Sequence, residues 1–268
     1  MKLVIKAGGQ AMDDARVRRN VARQVASLRR SGHDVVVVHG GGKLLTSTLA
    51  RLGIASEFSD GLRVTGSEAR DVALMVLAGF ANKQWVAAIR AQGVEALGVC
   101  GGDAGLVEAR KLAPSKGREE KALGFVGRPA KVNTALLDAA FERDWVPVVA
   151  SVAPGPRNEY FNVNADDFAA ALATGLRAER LIYLTESGGV WDAEHRRLPL
   201  IRVNEIQSLI RTGAVRDGMI PKLLSCARVL AGRVGEIDMI SPAIPEGVLQ
   251  ALSRRPHTGT RIVKDSGK

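Results

Sequence analysis

Two glycine runs are the residues whose types and spacing first suit chemistry. Lys6-Ala7-Gly8-Gly9 closes the apolar stretch that begins KLVI, and His39-Gly40-Gly41-Gly42 closes VVVV. Glycine lets backbone N–H groups approach a ligand closely and adopt positive φ. A helix starting just beyond adds positive potential, which suits a phosphate or carboxylate. A lysine ending an apolar strand can simply snorkel to the surface. Beside Gly8-Gly9, Lys6 can instead aim a fixed ammonium at a phosphoryl group. The chain contains neither GxxxxGK[ST] nor GxGxxG, so a P-loop and a dinucleotide fingerprint have no support.

The second half carries three further clusters. Asn162-Val163-Asn164-Ala165-Asp166-Asp167 precedes a helical pattern. A helix cap with an acidic first turn explains one Asn and one Asp; the surplus suggests a polar ligand site. Asp217-Gly218-Met219-Ile220-Pro221-Lys222 puts a lysine just inside a helix start, where it opposes the macrodipole. Thr185-Glu186-Ser187-Gly188-Gly189 follows a strand pattern. In the first half, Arg63 of Gly61-Leu62-Arg63-Val64-Thr65 offers a bidentate partner for a carboxylate, or only a surface charge.

The elements that must position these residues alternate along the chain. Strand patterns cover residues 2–6, 35–38, 94–99, 146–149, 181–184, 237–240 and 260–263. Helical patterns cover residues 13–30, 43–52, 67–91, 134–141, 165–174, 205–211, 222–230 and 245–252. Thr65-Gly66-Ser67-Glu68 matches a capping box, and residues 101–131 read as projecting hairpins or loops. This alternation predicts an α/β fold, a mostly parallel sheet with helices on both faces. Ala153-Pro154-Gly155-Pro156-Arg157 is the predicted boundary between lobes 1–152 and 153–268.

Bulk properties narrow the class. The chain has 268 residues, 46% hydrophobic and 25% charged, which fits a folded enzyme and not disorder. No apolar run reaches the length of a membrane span, and the apolar part of residues 1–6 is too short for a signal peptide, so no membrane partner is expected. Two cysteines without CxxC spacing read as reduced core thiols, which fits a cytoplasmic location. The net charge of +10 favours acidic partners. Aromatics are only 4% and no recognition module is visible, so nucleic acid is not expected among them.

In order and spacing, KAGG (6–9), VHGGG (38–42), GLRVT (61–65), ANK (81–83), NVNAD (162–166), DGMIPK (217–222) and GTRI (259–262) resemble the amino acid kinase family. The resemblance spans residues 2–263 and is strongest to members that phosphorylate the γ-carboxylate of N-acetyl-L-glutamate in arginine biosynthesis. It implies an open αβα sandwich with the acyl amino acid in the first lobe and ATP in the second. It implies that Lys6 and Lys222 flank the transferring phosphoryl group and that Asp166 orients them. Gly8 and Gly9, with Gly41, would donate N–H groups to phosphoryl oxygens. Gly41, Gly42, Arg63 and Asn162 would hold the acceptor. Thr185, Glu186, Asp217, Gly218 and Met219 would lie along the nucleotide, with Mg²⁺ carried on its phosphates.

His39 is then expected to be a packing or hydrogen-bonding residue, and Lys43 a surface one. The resemblance departs at Glu186, where Asp is frequent, and at Gly101-Gly102-Asp103, where Gly-Lys-Asp is. The first strand starts at Lys2 and residues 241–246 differ from the arginine-site pattern, so a homodimer insensitive to arginine is expected. Two rivals stay open. One is a relative acting on a carboxylate borne by a small acidic carrier protein, which the positive charge would dock. The other is a non-catalytic amino-acid-binding regulator on the same fold.

Overall fold

A computed structural model describes residues 1–59, 61–113, 123–215, 219–253 and 258–265. Its centre is an eight-stranded sheet. From one edge to the other the order is Leu200–Arg202, Thr260–Val263, Glu236–Ile240, Arg180–Leu184, Lys2–Ala7, Asp34–His39, Val146–Ala150 and Ala96–Cys100. The last six of these run parallel, and the first two run opposite to them. Strands covered on both faces read as continuous apolar runs. Val35 to Val38 are accordingly all fully buried.

Alternate side chains feed two cores, one on each face. Val4, Val36 and Val38 pack with the helices Ala135–Phe141, Ala165–Leu176 and Met219–Leu230. Leu3, Ile5, Val35 and Val37 pack with Ala15–Arg30, Asn82–Arg90 and Gly247–Ala251. The expected αβα sandwich is therefore present, and the first strand, which carries Lys6, runs through its middle.

A second sheet of four strands, Val107–Lys111, Val126–Val132, Tyr160–Val163 and Val152–Pro154, leans against the first core. The first two are the hairpin expected within 101–131, whose tip lies outside the described residues. Residues 153–157, read from sequence as a boundary, turn the antiparallel pair Val152–Pro154 and Tyr160–Val163. A small hairpin, Glu57–Ser59 with Leu62–Val64, carries Arg63.

The long helix Ser67–Arg90 departs from its sequence reading in two ways. The capping box is not made: Gly66 caps the helix without a side-chain bond. Thr65 instead donates its hydroxyl to the Arg63 carbonyl, and its backbone pairs with Leu123 and Phe125. The helix is also long and apolar enough to cross a membrane by length and composition, an 18-residue window within it having a mean hydropathy of 1.5, where the sequence shows no unbroken apolar run of that length. Its buried face, including Leu77, Trp85 and Ile89, packs in the cores, while Met75 and Phe80 stand exposed on the other. Leu74–Ala81 is π-helical, a local widening of the turn.

The edge of the sheet distant from the glycine loops is tied by charge. Asp238, fully buried, accepts from Arg180 at 3.1 Å and from Arg261 at 2.9 Å, and Glu236 pairs with both arginines. This joins three neighbouring strands. Removing Asp238 takes away the fully buried anion and leaves both arginines to Glu236 alone. Asp238→Ala should therefore lower unfolding free energy by about 3–5 kcal/mol, read as a reduced urea midpoint at unchanged m-value; a loss below about 1 kcal/mol would show that the network is not structural.

Candidate active site

The parallel strands end on one side of the sheet, and the two glycine loops leave from adjacent ones, Lys2–Ala7 and Asp34–His39. Ligands of open α/β sheets bind at such carboxyl ends. An open cleft of about 350 Å³ lies there. Of the residues predicted from sequence, Lys6, Gly8, Gly9, Gly41, Gly42, Arg63, Asn162 and Asp166 all line it.

Asp166 sits in the first turn of the helix Ala165–Leu176. Asn164 caps that helix, its side-chain oxygen accepting from the Asp166 and Asp167 N–H groups at 2.8 and 3.3 Å. The carboxylate of Asp166 is thus left for other partners. One oxygen lies 2.9 Å from Lys6 Nζ and the other 3.3 Å from Lys222 Nζ. Lys222 reaches it from the first turn of Met219–Leu230. Burial works to raise the Asp166 pKa, and the ammonium groups of Lys6 and Lys222 outweigh it, so the carboxyl is held below its ordinary value. Two cations around one anion leave a local surplus of positive charge.

Two glycines lie against side-chain ends that would have to move for a β-carbon. A β-carbon on Gly8 would sit 2.3 Å from Lys6 Nζ, and one on Gly41 would sit 2.7 Å from Leu77 Cδ2. Gly9 adopts φ +52°, a left-handed value that favours glycine. The helix Gly42–Arg51 has no side-chain cap, so its first N–H groups remain available at the cleft. Arg63, largely buried, braces this turn: its guanidinium donates to the Gly42 carbonyl at 3.2 Å and to Thr46 Oγ1 at 2.6 Å, and it stacks 4.6 Å from the Phe58 ring.

Thr185 and Glu186 begin the loop after the strand Arg180–Leu184. Thr185 is buried, its N–H donating to the Ile240 carbonyl. Glu186 lies over Gly9. Met219 opens its helix and packs against the first core. Asp217 and Gly218 lie outside the described residues.

Three cleft features escaped the sequence reading. Lys43 is on the surface as expected, but it also lines the cleft and ion-pairs with Asp13 at 3.1 Å and Glu186 at 3.6 Å. Its signal was available: as the second residue of a helix it opposes the macrodipole just as Lys222 does. Ser151 and Met12 also line the cleft, from positions that carry no local signature. Asn82, of the ANK motif, lies beneath the loops. Its amide donates to the carbonyls of Val148 at 2.9 Å and Val99 at 3.3 Å and contacts His39 Nε2 at 3.2 Å. No group of three or more His, Cys, Asp or Glu among the described residues is placed to hold a metal ion.

A mostly parallel αβα sheet with two glycine loops and a lysine–aspartate–lysine group at its carboxyl ends has the chemistry of an enzyme that handles phosphate. The chain belongs to the amino acid kinase family, whose model matches residues 1–240. It is 44% identical over 264 residues to the acetylglutamate kinase of Koribacter versatilis, covering 98% of this chain and 99% of that protein. It is 41% identical over 267 residues to the acetylglutamate kinase of Bartonella tribocorum, covering 97% and 89%. Among solved structures, smu.665 of Streptococcus mutans superposes with a TM-score of 0.80 at 26% identity, covering 98% of this chain and 99% of that one. The N-acetylglutamate synthase of Neisseria gonorrhoeae, complexed with coenzyme A and N-acetyl-glutamate, superposes with a TM-score of 0.85 at 24% identity. That match covers 99% of this chain and 60% of that one, and is a likeness of fold.

His39 is fully buried beside the cradle, its Nδ1 donating to the Gly40 carbonyl at 2.8 Å and its Nε2 facing Asn82. Burial lowers its pKa from 6.5 to about 4, against the Gly40 hydrogen bond, which acts to raise it. The unfolded chain binds a proton on this residue near pH 6.5, while the folded chain keeps it neutral down to about pH 4. Stability is therefore fully present above pH 6.5 and falls between pH 6.5 and about 4. The loss amounts to about 3 kcal/mol. Urea titrations at steps of pH should show this slope in the wild type and a flatter one in His39→Gln; equal slopes would remove His39 as its source.

Proposed function

We propose that this protein transfers the γ-phosphoryl group of ATP to the γ-carboxylate of N-acetyl-L-glutamate, giving N-acetyl-L-glutamyl 5-phosphate and ADP in arginine biosynthesis. The observation that carries the reading is Lys6–Asp166–Lys222 at the edge of a cleft lined by both glycine loops. The full-length similarity to proteins named acetylglutamate kinase supports the choice of acceptor.

The acceptor needs no general base. A carboxylate with a pKa of about 4.3 is already ionised at neutral pH. One of its oxygens attacks the γ-phosphorus, the bond from phosphorus to the bridging oxygen breaks, and ADP leaves. What the protein must supply is position and positive charge around the phosphoryl oxygens. Lys6 and Lys222 supply the charge from opposite sides, and Asp166 spaces them. The N–H groups of Gly8, Gly9 and Gly41 add donors to those oxygens. Gly41, Gly42 and Arg63 of the first lobe (1–152) line the acceptor end together with Asn162, which comes from the second.

The nucleotide lies on the second lobe (153–268), beside Thr185, Glu186 and Met219; Asp217 and Gly218, assigned to it from sequence, lie outside the described residues. When bound, Mg²⁺ would neutralise phosphate charge, carried in on the nucleotide phosphates. Met75 and Phe80, 63% and 59% exposed on one helix face, support a homodimer that covers them. The free, buried thiols of Cys100 and Cys226 fit a reducing cytoplasm.

The net charge of +10 keeps one second reading, a carboxylate presented on an acidic carrier protein. One experiment separates them: ATP-dependent acyl phosphate formation from free N-acetyl-L-glutamate, trapped with hydroxylamine. Wild type should turn over without a carrier. Lys6→Ala and Lys222→Ala should each lose about 10²–10³-fold in kcat. A folded, ATP-binding protein inactive on the free substrate would favour the carrier-linked reading. Full activity in Lys222→Ala would end the two-lysine mechanism.

A further inference from the structure

Lys43 and Glu186 meet across the mouth of the cleft, and their charges conflict with what the cleft must bind. Glu186 enters from the loop after Arg180–Leu184, and Lys43 from the start of Gly42–Arg51. A β-carbon on Gly9 would meet Glu186 Cγ at 2.6 Å and Oε1 at 2.9 Å. The carboxylate thus covers the left-handed glycine of the first cradle. Lys43 Nζ holds it there at 3.6 Å and is itself held by Asp13 at 3.1 Å.

A carboxylate over this cradle carries the same sign as the phosphate the cradle would bind. The two cannot share the position without strong repulsion in a partly closed cleft. Packing does not fix the pair, since the side chains of Lys43 and Glu186 are 73% and 58% exposed. Both can turn without opening the core. Asp13 keeps Lys43 at the cleft whichever anion it faces.

We propose that Glu186 is a stand-in anion over Gly9, tethered by Lys43, and that a nucleoside polyphosphate displaces it and takes over the charge of Lys43. Lys43 is then a phosphate-positioning residue, and Glu186 sets a threshold that ligands with little phosphate charge do not overcome. This rests on reading the cleft as the phosphate site of a kinase.

The test is calorimetric binding of AMP, ADP and ATP without Mg²⁺ to wild type, Glu186→Gln and Lys43→Met, with circular dichroism confirming each fold. Glu186→Gln should bind ATP about fivefold more tightly, ADP less so, and AMP nearly as wild type does. Lys43→Met should weaken binding in the same order, by about fivefold for ATP. Unchanged or weaker ATP binding in Glu186→Gln overturns the proposal, as does an equal shift for AMP and ATP. Wild type that binds none of the three nucleotides brings down the kinase reading and this proposal together. Normal wild-type binding and turnover beside an unshifted Glu186→Gln sinks this proposal alone.

Discussion

The ion group Lys6–Asp166–Lys222 is the constraint on which the rest of the site depends. Two ammonium groups near one point repel, and a single carboxylate between them offsets part of that repulsion while leaving net positive charge. The fold has to deliver three side chains from three separate elements to meet this condition. Lys6 comes from a central strand whose apolar neighbours Leu3, Val4 and Ile5 are fully buried on both faces, so its Cα has no freedom to drift. Asp166 and Lys222 come from the first turns of two helices on the same face of the sheet. Each helix is fixed by its own buried row, and the meeting of their first turns with the end of the strand follows from that packing.

The helix beginnings around the cleft are treated differently, and the difference has a chemical sense. Ala165–Leu176 is capped by the Asn164 side chain, which satisfies its first donors internally. Its contribution to the cleft is therefore the carboxylate of Asp166. Gly42–Arg51 has no side-chain cap, and its contribution is the free N–H groups themselves. A serine or aspartate in place of Gly41 would cap that helix and also collide with Leu77. Arg63 secures the turn from outside by holding the Gly42 carbonyl, so the loop keeps its shape without using its donors.

The alternation of apolar strands and helices was enough to predict the sandwich, because strands buried on both faces have little choice of residue. Strands as short as Leu200–Arg202 and Glu57–Ser59 were not visible, since three residues carry no period. Residues 153–157 form a tight hairpin turn, which Pro and Gly mark as readily as a boundary between lobes. In the site, residues placed by a local rule were legible: a glycine after a strand, a lysine against a helix dipole, an asparagine too many for one cap. Ser151 and Met12 were not, because they reach the cleft through tertiary packing alone. Lys43 obeyed a legible rule that the sequence reading applied only to Lys222.

The environment of His39 bears on the chemistry by subtraction. Its imidazole is the nearest to the glycine cradle in sequence, one residue before Gly40, and a base there would be the natural suspicion. Instead one ring nitrogen is committed to the Gly40 carbonyl and the other faces the Asn82 amide, inside the core. Burial keeps the ring neutral, so it neither adds to the positive field of the lysines nor waits to take a proton. Asn82 in turn spans the carbonyls of two neighbouring strands, which ties the end of the π-helical segment to the sheet directly under the cradle. The same π-helical segment sets Leu77 against Gly41. A reaction whose acceptor is already an anion has no use for a base at that point, and the sequence has spent the position on rigidity instead.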